Sequence, residues 1–327
     1  MMVLKEWFVE APWGNIALIS WGNLSGSPVL LVHGRQDSAA TFTPLLEHLS
    51  DKYHYVGIDM PGNGRSDPFP HGVKLTRFHF LAAVQVVIEH LKWGQFAYIG
   101  HSMGCEQGLF FNAAYPGRIT KIVYLDLGPS LQRLQVHDPV EYYQMFYCDY
   151  YANYTRDNFE IKLYSKEKAT EAVMRARRLT RPQADIILSR NMTQVGEDSF
   201  RLSWDQRLKY PAPQNYPVDY YKCLFSKNSP PTLLLSATDT TSNPYSKGKR
   251  DASEIIDYLE KNLDNFKVSM VMGGHDVHFT NPERLAKDVV QFLDKDFGNV
   301  KVENNKEAND EFKLFVNDMR EFYKCKL

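Results

Sequence analysis

A serine held between two glycines, where an apolar run gives way to a helical pattern, constrains this chain more than any other feature. The stretch is FAYIGHSMG, Phe96 to Gly104. Its first four residues read as a buried strand, and GHSMGCEQGLFFNAAY turns helical within a few residues. At so tight a corner, side chains two places before and two after the serine would collide, so both positions need glycine. Such a corner leaves the Ser102 hydroxyl standing above a sheet edge.

Strand-like runs recur on both sides of it. KEWFVE and NIALISW flank Pro12-Trp13-Gly14-Asn15 and read as a hairpin. PVLLV (28–32), HYVGI (54–58), FAYI (96–99), KIVYL (121–125), TLLLS (232–236) and KVSMVM (267–272) follow. Helical patterns over Phe42–Leu49, Phe78–Leu91, Gln107–Tyr115 and Ser253–Leu263 lie between them. That alternation predicts an α/β fold with a mostly parallel sheet. It breaks once, between about Pro129 and Lys227, where no buried strand is read and the composition shifts to Tyr, Arg, Asp and Asn. The division expected is a core over 1–128 and 228–297, a helical cap over 129–227, and a tail over 298–327. Within the tail Phe312, Phe315, Val316, Met319 and Phe322 share one helical face.

Composition excludes several classes. With 38 basic and 39 acidic residues the net charge is -1, which gives no argument for a nucleic-acid partner. No apolar run approaches a membrane span, and MMVLKEWFVEAPWGN is not read as a secretory signal. Cys105, Cys148, Cys223 and Cys325 are scattered without CxxC spacing, the pattern expected of a reducing compartment with no zinc. No metal or organic cofactor is called for.

A serine hydroxyl is a weak nucleophile and needs a base, a group that orients the base, and donors for a developing oxyanion. For the base, VMGGHDVHFTNPERL offers His275, just past Gly273-Gly274 at a strand's C-terminal end, with His278 the weaker choice. For the oxyanion, His33-Gly34 follows PVLLV, so the backbone N–H groups of Arg35 and Met103 are the natural donors. For the acid two residues stay open, Asp126 at the end of KIVYLD and Asp239 in LLLSATDTTSNP.

Together these stretches resemble the α/β-hydrolase superfamily, and within it the serine hydrolase-like (kraken-type) group. LLVHGRQDSAATFTPLLEHL, YVGIDMPGNGRSD, LKWGQFAYIGHSMG, SWDQRLKY and GGHDVHFTNP carry the resemblance, from the hairpin to about Leu293. It implies an eight-stranded, mostly parallel sheet flanked by helices. It also implies Ser102 as nucleophile, His275 as base, and Arg35 and Met103 as oxyanion donors. The acid departs from the superfamily pattern. In G-x-x-D-x-x-x-P register Thr240 stands where Asp is usual and Asp239 falls one place early. Some small esterases of the fold instead use an Asp in a stretch like LDLGP, which fits Asp126; that residue is preferred and Asp239 kept as the alternative. A serine at the corner implies an acyl-enzyme and acyl transfer to water. The expected substrate is a small-molecule carboxylic ester or thioester with an apolar acyl group. A ligand-binding protein with little turnover is the competing class. Carbon–carbon bond hydrolysis and perhydrolysis use the same constellation.

Two further stretches carry weaker expectations. The tyrosines of EYYQMFYCDYYANY and the basic run MRARRLTR (174–181) are read mainly as packing residues and a solvated helix face. The final Cys325-Lys326-Leu327 resembles the S-K-L address, which makes a peroxisomal import receptor a candidate partner and peroxisome or cytoplasm the expected location.

Overall fold

The apolar runs are continuous rather than alternating because the sheet they form is covered on both faces. In a computed structural model, which describes residues 1–70, 72, 74–136, 138–152, 162–209, 212–239 and 246–298, β3 (Pro28–Val32) sends Leu30 and Val32 into one core and Val29 and Leu31 into the other. Phe96 and Tyr98 against Ala97 and Ile99 in β5 (Phe96–His101) divide the same way. So do Ile122 and Tyr124 against Val123 and Leu125 in β6 (Ile119–Leu125). The first core is closed by helices Arg77–Leu91, Met103–Ala114, Val218–Ser226 and Lys247–Asn262, the second by Thr43–Leu46 and Glu283–Asp294.

The sheet has eight strands. With β1 (Val3–Ala11), β2 (Gly14–Gly22), β4 (His54–Ile58), β10 (Thr232–Ala237) and β11 (Phe266–Val271), their order is β1-β2-β4-β3-β5-β6-β10-β11. The β1–β2 and β2–β4 pairs are antiparallel, as the hairpin reading requires, and the rest are parallel. From β3 the chain steps outward to β4, then returns across β3 to begin β5. The switch point therefore lies between β3 and β5, where the crevice outside the carboxyl ends of the strands opens. The loops carrying Arg35 and Ser102 flank it.

Helix boundaries depart more from the sequence reading than strand boundaries do. The last long helix before β11 begins at Lys247, well before Ser253, because the Ser246 hydroxyl accepts from Lys249 N–H at 3.3 Å. Gly248 hides that start in the sequence, yet a Cβ there would meet the Gln132 carbonyl oxygen at 2.4 Å. Phe42–Leu49 is a 3-10 turn at Ala39–Phe42 followed by one α-turn at Thr43–Leu46.

The segment inserted between β6 and β10 is not wholly helical. Beside helices Lys166–Arg177 and Arg181–Asn191 it holds a small antiparallel sheet, ordered β7-β9-β8, of β7 (Leu163–Tyr164), β8 (Met192–Gly196) and β9 (Ser199–Leu202). These strands are short and largely exposed, so they lack the apolar period that would announce them. Polar clips fasten the segment to the loop after β4. Arg190 forks onto Asp59, Nε and one terminal nitrogen lying 3.0 and 2.8 Å from Oδ2. Asn191 Oδ1 accepts from Gly64 N–H and from the Trp204 indole at 3.0 and 2.9 Å. Asp205 N–H donates to the Gly62 carbonyl, and its carboxylate grips Arg207, which reaches Phe69 and Pro70 carbonyls. The SWDQRL stretch is thus a fastening between insertion and core.

Among the described residues no helix is long and apolar enough to cross a membrane. The tail face from Phe312 to Phe322 and the terminal Cys325-Lys326-Leu327 lie outside the described residues. Because Asp59 and Arg190 are both buried, replacing only the cation strands a carboxylate in the interior. Arg190→Leu should lower stability by about 3–5 kcal/mol, read as a fall in the urea midpoint. The double variant Asp59→Leu/Arg190→Leu should recover a large part of that loss.

Candidate active site

Ser102 sits in the corner with φ 51° and ψ −115°, a backbone conformation few non-glycine residues adopt. Its N–H donates to the Leu125 carbonyl at 3.1 Å, while its own carbonyl accepts from Cys105 N–H at 3.0 Å. The flanking glycines are needed for the reason anticipated. A Cβ at Gly100 would lie 2.7 Å from the backbone of Gly104 and Cys105, and one at Gly104 would lie 2.0 Å from the Val32 carbonyl oxygen. Met103 is the first residue of the following helix, so its N–H belongs to the positive end of that helix.

The loop after β3 packs directly on this corner. A Cβ at Gly34, the residue before Arg35, would come within 2.9 Å of His101 Nδ1 and 3.1 Å of Ser102 Cβ. His33 fixes the loop from inside: Nδ1–H donates to the Gly34 carbonyl at 2.6 Å, and Nε2 accepts from Met60 N–H at 2.9 Å. Both ring nitrogens are engaged by the neutral form, and burial holds the pKa of His33 below its ordinary value.

His275 and Asp126 are brought together; Asp239 is not. His275 Nδ1–H donates to Asp126 Oδ2 at 2.6 Å. Asp126 is buried at the end of β6 with φ 55°, a left-handed conformation Asp tolerates better than most residues. Its N–H donates to the Leu235 carbonyl at 2.8 Å and its Oδ1 accepts from Ala237 N–H at 3.2 Å, so β10 sets its position. Asp239 is exposed and accepts from the Thr238 hydroxyl at 3.1 Å. His278, the weaker choice of base, is fully buried with Nε2 3.1 Å from the Thr41 hydroxyl.

Several residues at the site carried no distinct sequence signal. His101 is buried between the rings of His275 and His278, centroids 4.7 and 4.0 Å away, and its Nε2–H donates to the His275 carbonyl at 3.1 Å. Burial, with His275 beside it, lowers the His101 pKa to about 3, and burial also holds His278 well below its ordinary value. Arg177, in the run read as a solvated face, is largely buried and bridges Asp37 Oδ2 and Asp276 Oδ2, each at 3.0 Å. That run misled because its other arginines do face outward: Arg181 pairs with Glu167 at the surface. Ligand atoms of Asp37, His101 and Asp276 lie within 4.8 Å of one another. The Arg177 guanidinium already pairs with both carboxylates and offsets one of their two charges, so this group offers a cation less charge than its two acids suggest. Of the tyrosine-rich stretch, Tyr142 and Phe146 pack against Ala212, whereas Tyr143 and Tyr151 are exposed.

With this fold and corner in view, the comparison with known proteins is decisive at the level of family. The sequence profile described as the alpha/beta hydrolase fold matches residues 27–282, and the chain belongs to that family. Within it the relatives are serine hydrolase-like proteins. The chain is 30% identical over 295 residues to "Serine hydrolase-like protein" of Danio rerio, covering 86% of each sequence. It is 27% identical over 292 residues to "Serine hydrolase-like protein 2" of Homo sapiens, covering 87% of this chain and 92% of that one. A solved hypothetical protein of Pseudomonas aeruginosa superposes with a TM-score of 0.72 at 23% identity, over 89% of this chain and 98% of its own, and shares the fold.

The three buried neutral histidines link stability to pH. Unfolded, each titrates near its ordinary value of about 6.5, whereas in the folded state burial lowers His33 and holds His101, at about 3, and His278 well below that value. The unfolded state therefore binds more protons, and stability is lost as pH falls through about 6.5. The unfolding free energy should decline between pH 7.5 and 5, each such group adding up to about 1.4 kcal/mol per unit below 6.5. In His101→Gln that slope, read from urea midpoints, should be shallower.

Proposed function

We propose that the protein is a serine hydrolase that cleaves a carboxylic ester or thioester with an apolar acyl group through an acyl-enzyme on Ser102. The single observation carrying this reading is the 2.6 Å bond from His275 Nδ1–H to Asp126 Oδ2, made by a histidine whose ring packs 4.7 Å from that of His101, the residue before Ser102. With Nδ1 committed to the carboxylate, the lone pair of His275 is on Nε2, where it accepts the Ser102 proton as Oγ attacks the carbonyl carbon. The oxyanion takes the N–H groups of Arg35 and Met103, each of which contributes about 3–4 kcal/mol to such a transition state. Protonated Nε2 then delivers its proton to the leaving alcohol or thiol, whose bond to the acyl carbon breaks. Water enters by the same base and releases the acid, restoring Ser102. Asp126, bonded to Nδ1–H, holds the imidazole in the productive tautomer. The apolar acyl preference is supported by the aromatic stretch from Tyr142 to Tyr151, which presents exposed rings as well as packed ones.

Steady-state hydrolysis of p-nitrophenyl esters tests the roles. Ser102→Ala should abolish turnover. Asp126→Asn should lower kcat by about 10²–10⁴-fold, while Asp239→Asn should stay within about twofold of the parent enzyme. Equal losses in the two Asp variants would overturn the assignment of the acid.

Chain length tests the substrate class. Between acetyl and hexanoyl esters kcat/KM should climb about 15-fold for every two carbons, at about 0.8 kcal/mol per buried CH₂. A flat series would remove the apolar acyl pocket. Comparison of oxygen esters with acyl thioesters of equal chain length then separates the two leaving groups.

A further inference from the structure

We infer that Arg177, supplied by the inserted segment, is a positioning residue that locks the loop of the base to the loop of the oxyanion donor; this rests on the function proposed above. The two loops come from distant strands, and besides Arg177 they are tied by the Thr41–His278 hydrogen bond at 3.1 Å and by His101, which packs on Gly34 and holds the His275 carbonyl. One follows β3 and the other β11, and three strands, β5, β6 and β10, separate these in the sheet. At the usual strand spacing that is about 19 Å of sheet. Above the sheet edge one guanidinium joins the two loops by their acidic side chains. Arg177 ends helix Lys166–Arg177, and its terminal nitrogen lies 3.0 Å from Asp37 Oδ2 and 3.0 Å from Asp276 Oδ2, with Nε 3.2 Å from the latter.

Both carboxylates are one or two residues from proposed machinery. Asp37 is two residues past Arg35 and is itself buried, its Oδ1 accepting from Ser38 N–H at 3.0 Å. Asp276 follows His275 directly, and its carbonyl accepts from the N–H groups of Phe279 and Thr280, each at 2.9 Å. The backbone between them is also held, since His101 grips the His275 carbonyl and stands 3.8 Å from Asp276 Oδ1. Arg177 therefore pulls on the base loop and the oxyanion loop at once, through one rigid planar fork that Lys cannot reproduce.

The same ion pairs set the charge around His275. The groups facing it are Asp126 from the end of β6, His101 from β5, Asp276 and His278 from its own loop, and, through Asp276, Arg177 from the insertion and Asp37 from the loop after β3. His101 and His278 are neutral there, so Arg177 is the cation that partly offsets Asp37 and Asp276. Without it two uncompensated carboxylates would favour a protonated imidazole nearby.

The test compares Arg177→Gln, Arg177→Lys and, as a control from the same basic run, Arg181→Gln. Each preparation is first titrated with a fluorophosphonate so that rates are expressed per competent site, which removes any misfolded fraction. For Arg177→Gln the per-site kcat should fall about 10- to 100-fold, the size expected when reacting groups drift by an ångström. The acid limb of its kcat/KM–pH profile should move to higher pH by about one unit. Arg177→Lys should lose kcat but keep the limb within a few tenths of a unit, and Arg181→Gln should match the parent in both. A per-site kcat within twofold of the parent, or an unmoved limb, in Arg177→Gln overturns the inference and leaves Arg177 a purely structural tie. If the parent enzyme itself neither titrates nor turns over, it is the proposed function that fails, which the parent measurement alone reveals.

Discussion

The approach of Gly104 to the Val32 carbonyl, so close that a single Cβ would stand 2.0 Å from the oxygen, is the contact on which the rest of the site depends. It seats the helix that starts at Met103 directly over β3. Ser102 is thereby forced into its unusual backbone conformation, and the Met103 N–H is placed at the helix's positive end. Because β3 and β5 are neighbours at the switch point, the same contact draws the loop of Gly34 and Arg35 against the corner. The proposed nucleophile and the two proposed amide donors thus share one packing contact, and rigidity of this kind is what electrostatic pre-organisation requires.

Around that corner charge is handled by compensation rather than by solvent. His33, His101 and His278 are buried and neutral, so three rings shape the site without adding charge. The buried carboxylates Asp59 and Asp37 each meet an arginine from the insertion, Arg190 and Arg177 respectively. The insertion is therefore joined to the core by ion pairs whose core partners stand in the loops after β4, β3 and β11. That arrangement makes it a structural participant in the site as well as a cover beside it.

Much of this was legible in the sequence, and the physical reasons for success and failure differ by element. β3 and β4 were readable to the residue because both of their faces are buried, which produces an apolar run with sharp polar or glycine borders. The corner was readable because its sterics leave no alternative to glycine at 100 and 104. The proposed acid stays ambiguous in the sequence because Asp126 and Asp239 both end neighbouring strands; contacts made in space separate them, the 2.6 Å bond of His275 to Asp126 and the hydrogen bonding of Asp126 to Leu235 and Ala237. The small sheet of the insertion was missed because exposed short strands carry no core-facing period. Arg177 was missed because its partners are 140 and 99 residues away in sequence, while its neighbours in the run do face solvent.

The central claim is that Ser102 is an activated nucleophile, and one measurement addresses it most directly. The intact protein is incubated briefly with a fluorophosphonate at neutral pH, weighed, and its peptides mapped. The account predicts one adduct per chain, located on Ser102 and absent from Ser102→Ala, with labelling slowed in His275→Ala. A folded protein that takes up no label, or takes it at another residue, would contradict the account and favour a ligand-binding member of the fold.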